Sequence, residues 1–223
     1  MGMETPATTN GDIANADIAS LYTQFDAIES DARALVSGLS EEHGRWHPAP
    51  EAWSVAECLD HLATANRVYL EAMRPPAEAG LERGRMRRGR ALPGFVGRWF
   101  VATMEPPVKP RLKGKAPRII RPRAEPALAD AFERFIESHE DARVFLDRFK
   151  DIDLARIRFP NPFVRGLRFS LATGVNVIAA HDRRHLWQAW NVRREVQALS
   201  RLKSPQRREA GPEPVGELEH GKR

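Results

Sequence analysis

Over the first forty residues, Ile18, Leu21, Phe25, Ile28, Leu35 and Leu39 recur at spacings of three, four and seven. That period lays an apolar stripe along one side of a helix, predicted over 16–39. Gly38 and the region of Gly44 end it, and His47-Pro48-Ala49-Pro50 holds the chain extended. A second helix is predicted from Trp53-Ser54 onward, because Ser54 and Glu57 form a capping box in which each side chain meets the other's backbone N–H. Pro75-Pro76 lacks two backbone donors and is expected to stop this helix after about Met73. A third helix is predicted over 126–149, with Leu128, Phe132, Phe135, Ile136, His139 and Leu146 in one stripe. A connector with Pro160 and Pro162 follows, then a fourth helix from near Ser170 to about Leu202. The pattern holds no internal repeat, no heptad run and no strand alternation. Four helices, each apolar on one side, bury those sides only against each other. The expected fold is all-α: a four-helix bundle whose long connections after the second and third helices cross over.

The connection 74–125 changes the picture. It holds eight of the seventeen prolines, with one short amphipathic helix expected over 93–104, where Phe95, Val96, Trp99 and Phe100 share a side. Between Arg83 and Arg123 stand thirteen Lys or Arg and one acid, Glu105. That net +12 leaves −7 on the rest of a chain whose total is +5. Opposite charges in one chain attract, so this basic insert is expected to wrap its own acidic body or a second subunit, with nucleic acid and membrane as the less favoured partners. The domain expected is 15–203, with 1–14 and 204–223 disordered on composition. Cys58 is the single cysteine, which excludes an intramolecular disulfide and fits a reducing compartment. The first fifteen residues lack a basic and apolar signal pattern, and no run of about 18 apolar residues occurs, so a cytoplasmic location is expected.

Histidine carries the candidate chemistry. At 100° per residue, His185 falls about 40° from His181 on the fourth helix. Gly174, Val177, Ile178, Gln188 and Val192 lie within about 60° of the same direction, and Arg183 and Trp190 lie opposite. On the second helix His61 shares its side with Glu57, Cys58, Ala65, Val68 and Ala72. Three inward imidazoles on two helices either each find a separate partner in an apolar core or share one ion. Cys58 one turn away reads as a small buried hydrophobe ahead of a soft ligand. Glu57 is accounted for by its cap, His139 reads as a core histidine, and Asp182 points about 100° away from His181. His43, His47 and His220 fall in loops or the tail. The chain contains no P-loop, GxGxxG, CxxC or Ser-His-Asp order.

The pattern Trp53-Ser54-x-x-Glu57-x-x-x-His61-Leu62, with His181-x-x-Arg184-His185-x-x-Gln188 late in the chain, resembles the DinB-like (YfiT-related) superfamily. The resemblance covers about 16–197, and Pro110 to Pro117 resembles the region between helices two and three there. It implies a long-crossover four-helix bundle, often a homodimer. It implies a divalent metal ion, nickel or zinc, held at the positions matching His61, His181 and His185. It implies one of two activities on a small-molecule substrate: a transferase or isomerase using a low-molecular-weight thiol, or a metal-dependent hydrolase. Glu57 and Gln188 are the nearest same-side groups to orient the ligand rings. The alternative reading is a non-catalytic or metal-free helical bundle that acts as a binding protein through its basic insert.

Overall fold

The computed structural model describes residues 10–107 and 116–203. Its elements are α1 (Asn10–Val36), α2 (Glu41–Arg45), α3 (Val55–Glu82), α4 (Phe95–Met104), a 3-10 turn at Arg118–Ile120, α5 (Leu128–Phe149), a two-stranded antiparallel hairpin of β1 (Arg158–Pro160) and β2 (Arg168–Ser170), and α6 (Leu171–Lys203). The described chain is mostly helical, as the periodicity demands. Helix α3 packs on α5 and α6, and α1 packs on the same two helices. The stripes named above supply the core: Ile18, Leu21, Phe25, Ile28 and Leu35 of α1 are buried, with Leu59, Leu62 and Met73 of α3 and Phe135, Phe145 and Phe149 of α5. Each such side chain contributes roughly 1.5–3 kcal/mol by leaving water. Gly174 of α6 lies where a Cβ would collide with Met73 and Phe159, so glycine there lets α6 settle close against α3. Among the described residues no helix is long and apolar enough to cross a membrane.

Several boundaries differ from the sequence pattern. Helix α1 begins at Asn10, so 10–14 are helical rather than disordered. It ends at Val36, before Leu39, with Gly38 at φ +67°. Arg193 of α6 donates to the carbonyls of Ala34, Leu35 and Ser37, which the helix end leaves without intrahelical donors. Helix α2 is too short to show a period and is started by Ser40, whose hydroxyl accepts the His43 N–H at 3.2 Å. Helix α3 runs through Pro75-Pro76 to Glu82. The two missing donors cost local stability, but the turn beyond them is buried at Ala77 and Gly80, and Glu78 pairs with Arg148. Packing here overrides propensity. The hairpin pairs Phe159 with Phe169, both buried, over three residues per strand, too few for alternation to declare itself. Residues 1–9 and the tail 204–223 lie outside the described residues.

The described parts of the basic arm fold back on the chain's own body. Met86 forms a bridge with Ile152, where the Arg87 N–H donates to the Asp151 carbonyl and the Asp153 N–H to the Arg85 carbonyl, both at 2.8 Å. Arg90 holds Asp17 through its Nε and Nη2. Helix α4 lies on α6, with Gly97 buried against Thr173, and Glu105 at its end is held by Arg183. Ile120 is buried, and Arg123 donates both its backbone N–H and its Nε to Asp60 at 2.8 Å.

Candidate metal centre

The capping box predicted for α3 is present: the Ser54 hydroxyl accepts the Glu57 N–H at 3.1 Å and Glu57 accepts the Ser54 N–H at 2.9 Å. From that start, His61 lies two turns into α3 and faces α6, where His181 and His185 meet it. One nitrogen from each ring lies within 4.8 Å of the others. The Nε2 atoms of His61 and His181 are 3.3 Å apart, and the ring centroids are separated by 4.5–5.0 Å. His61 is 1% exposed and His185 9% exposed. Trp53 covers the group, its ring centred 4.6 Å from His61 and 5.6 Å from His185.

Two of the three tautomers follow from hydrogen bonding. The Ile120 carbonyl can only accept, so the His61 Nδ1, 2.5 Å away, carries the proton and donates it. His185 Nδ1 donates likewise to Gln188 Oε1 at 3.1 Å. In the neutral ring each of these leaves Nε2 as a lone-pair acceptor. Burial pushes the His61 ring down to about 4, against the pull of the Ile120 carbonyl and Asp60. His181 and His185 are held well below the usual imidazole range, first by burial, then by the positive charge that neighbouring rings and Arg184 would present. Near pH 7 the cluster is three neutral imidazoles, with the Nε2 lone pairs of His61 and His185 beside His181, and neutral rings are what a divalent ion requires of its ligands. The residues present therefore fit a metal ion.

The acids beside the cluster are turned elsewhere. Asp60, one residue before His61, is fully buried between Arg123 and Arg134. Asp182, one residue after His181, accepts from His139 Nε2 at 2.9 Å and from Asn66 at 3.3 Å. Glu57 serves its cap and lies 3.4 Å from His47, so it does not orient His61; the carbonyl of Ile120, on the returning arm, does. Gln188 does orient His185, as its place on the helix suggested. Cys58 is fully buried, burial pushes its thiol up, and it stands outside the histidine group. His139 is a core residue bound to Asp182, and His43 bonds Ser200 at 3.2 Å. His220 lies outside the described residues. An open pocket of about 460 Å³ is lined by Glu42, Arg45, His47, Ser54, Glu125 and Pro126. None of the three clustered histidines lines it, so it does not define this site.

Residue periodicity had brought forward the three histidines but not Trp53 or Ile120. Trp53 immediately precedes the cap, a position whose side chain folds back over the first turn, and that was the available signal. No local signal marks Ile120, whose backbone arrives from a connection of more than thirty residues. The family model described as "DinB superfamily" matches residues 24–189. The chain belongs to the DinB superfamily. Neither the curated proteins nor the solved structures contain a match. The matched span contains His61, His181 and His185, and with their geometry it fits a DinB-like protein whose three-histidine group can hold a metal ion.

Proposed function

We propose that this DinB-superfamily chain is a metal-dependent, thiol-using transferase built as a four-helix bundle of α1, α3, α5 and α6. One divalent ion, nickel or zinc, would be held by His61, His181 and His185. A bound ion of this kind supplies Lewis acidity and lowers the pKa of a thiol or water placed on it. The protein's own residues do the rest. Ile120 and Gln188 fix the ligand rings, and Trp53 shields them from water. Arg184, on α6 between the two helical ligands, directs positive charge at all three rings and offers an attractive field to an anionic or thiolate substrate.

One observation carries the choice of transferase over hydrolase. Asp60, Asp182 and Glu57 are each committed to other partners, so none of these neighbouring acids faces the cluster as a general base for water. A low-molecular-weight thiol, partly ionised before it binds, needs no such base. The substrate class is a small electrophile together with that thiol, the assembly is a homodimer, and the compartment is the reducing cytoplasm. The test begins with elemental analysis of purified protein, then loads chelator-stripped protein with cobalt as a spectroscopic probe. Addition of a small thiol should produce a near-ultraviolet sulfur-to-metal band in wild type and none in the His61→Ala, His181→Ala, His185→Ala variant. Ion uptake with no thiol-dependent band would remove the thiol reading; no ion uptake would remove the metal reading.

A further inference from the structure

Helix α4, Phe95-Val96-Gly97-Arg98-Trp99-Phe100-Val101-Ala102-Thr103-Met104, carries one charge and is apolar almost all the way round. At 100° per residue, Gly97, Phe100, Val101 and Met104 form one side, and this is the side laid on α6, with Gly97 buried. The opposite side holds Phe95, Trp99 and Ala102, flanked by Val96 and Arg98. Phe95 is 80% exposed, Trp99 64% and Val96 60%. A helix that is apolar on every side is ordinarily buried on every side, and a patch with two exposed aromatic rings at its centre marks a binding surface.

The charge of the arm that carries this patch points to its partner. The single acid between Arg83 and Arg123 is Glu105, and Arg183 holds it. Arg83, Arg85, Arg88 and Arg98 are exposed on the same arm. We propose that the outward side of α4 binds the surface of an anionic lipid bilayer, Phe95, Val96 and Trp99 entering the boundary between headgroups and acyl chains while the arginines of the arm meet lipid phosphates. A short apolar face with Trp and Phe, edged by arginine, has the composition of a helix that lies in that boundary. A second copy of the chain fits less well. Three such side chains offer about 400 Å², half of the roughly 800 Å² per partner that a stable dimer buries. A two-fold contact through this face would also set each basic arm against its copy. The proposal stands apart from the metal reading and survives its failure.

The full-length protein is sedimented with vesicles of phosphatidylcholine alone and of phosphatidylcholine with about one third phosphatidylglycerol. Wild type should bind the anionic vesicles, more weakly at high salt, and bind neutral vesicles at least about tenfold more weakly. A Phe95→Ser, Trp99→Ser variant should lose at least about tenfold in binding while keeping the wild-type circular dichroism and melting temperature. An Arg88→Glu, Arg98→Glu variant, which keeps the apolar face, should lose the preference for anionic lipid. Absence of wild-type binding to the anionic vesicles overturns the proposal, as does equal binding by wild type and the Phe95/Trp99 variant. A wild-type dimer that becomes monomeric in that variant, with no lipid binding by either, assigns the face to a subunit contact and also overturns it.

Discussion

His181 and Asp182 are neighbours on α6 and serve two buried histidine environments of opposite chemistry. His181 faces His61 and His185, where burial drives all three rings toward the neutral form. Asp182, about 100° round the helix, binds His139, which is no less buried. Burial pushes His139 down as well, but Asp182 and Glu29 outweigh it and raise the ring to about 9. The burial penalty is common to both; the supply of carboxylates differs. Around the first group the nearby acids are taken by arginines and a helix cap, so its rings stay neutral, each with one nitrogen able to accept. Around the second, Asp182 and Glu29 draw the ring toward the imidazolium, while burial raises the Asp182 carboxyl in turn. One environment is ready to receive a cation, and the other favours positive charge on its own ring.

The largest expected effect comes from removing the carboxylate. Asp182→Ala leaves His139 with Glu29 alone, whose oxygen stands 3.6 Å away. Breaking a buried pair in this way costs about 3–5 kcal/mol, to be read from denaturant unfolding at pH 7. His139→Gln with Asp182→Asn, which removes both charges, should recover part of that loss. A loss below about 1 kcal/mol for Asp182→Ala would mean that no buried ion pair exists.

The two environments should also titrate in opposite directions. His139 has a folded value near 9 against an ordinary 6.5, so the folded state holds the extra proton between those values. Its contribution is complete below that ordinary 6.5 and is lost as pH rises toward 9. His61, held down to about 4, has the reverse sign. The unfolded chain takes its proton first, so metal-free protein loses stability as pH falls from about 6.5 toward 4. Urea midpoints measured across pH should fall on both flanks, with His139→Gln flattening the alkaline side alone. An unchanged alkaline flank in that variant would contradict the comparison.

Ion binding should be confined to one environment. Nickel or zinc at a hundredfold excess over its dissociation constant stabilises the folded state by about 2.7 kcal/mol, seen as a rise in melting temperature. His61→Ala, His181→Ala, His185→Ala should abolish the rise, and His139→Gln should keep it. Equal responses of wild type and the triple variant would return the three histidines to the core.

Much of this was legible in the chain itself, for identifiable reasons. Ser54 and Glu57 announce the start of α3, and the spacing of His181 and His185 is fixed by the helix once its apolar side is known. His139 and Asp182 could each be kept out of the cluster on angle and residue type. What stayed hidden depends on contacts between distant segments. The Ile120 carbonyl reaches His61 from 59 residues away, and Asp182 meets His139 across 43. Pro75-Pro76 misled because packing of Ala77 and Gly80 outweighs two lost helix bonds. The three-residue strands and the five-residue α2 are shorter than any period that would reveal them.

The smallest effect tests the comparison most directly. Gln188 accepts the His185 Nδ1–H from a partly exposed position three residues along α6. A partner that orients a ligand ring is worth 10–100-fold in ion affinity. Water can replace part of what Gln188→Ala removes, so the loss should lie near tenfold, about 1.4 kcal/mol. Metal-free stability should change by no more than about 0.5 kcal/mol. Gln188→Glu goes further, because it places a carboxylate beside His185 as Asp182 stands beside His139. If carboxylate supply separates the two environments, the His185 ring should titrate higher in this variant than in wild type, followed by its proton resonances in metal-free protein. Proton competition should then make ion binding fall away at a higher pH, while above the new pKa the more basic ring binds at least as well as wild type. A His185 titration unmoved by Gln188→Glu would mean that burial alone sets this cluster, and that the contrast with His139 has another cause.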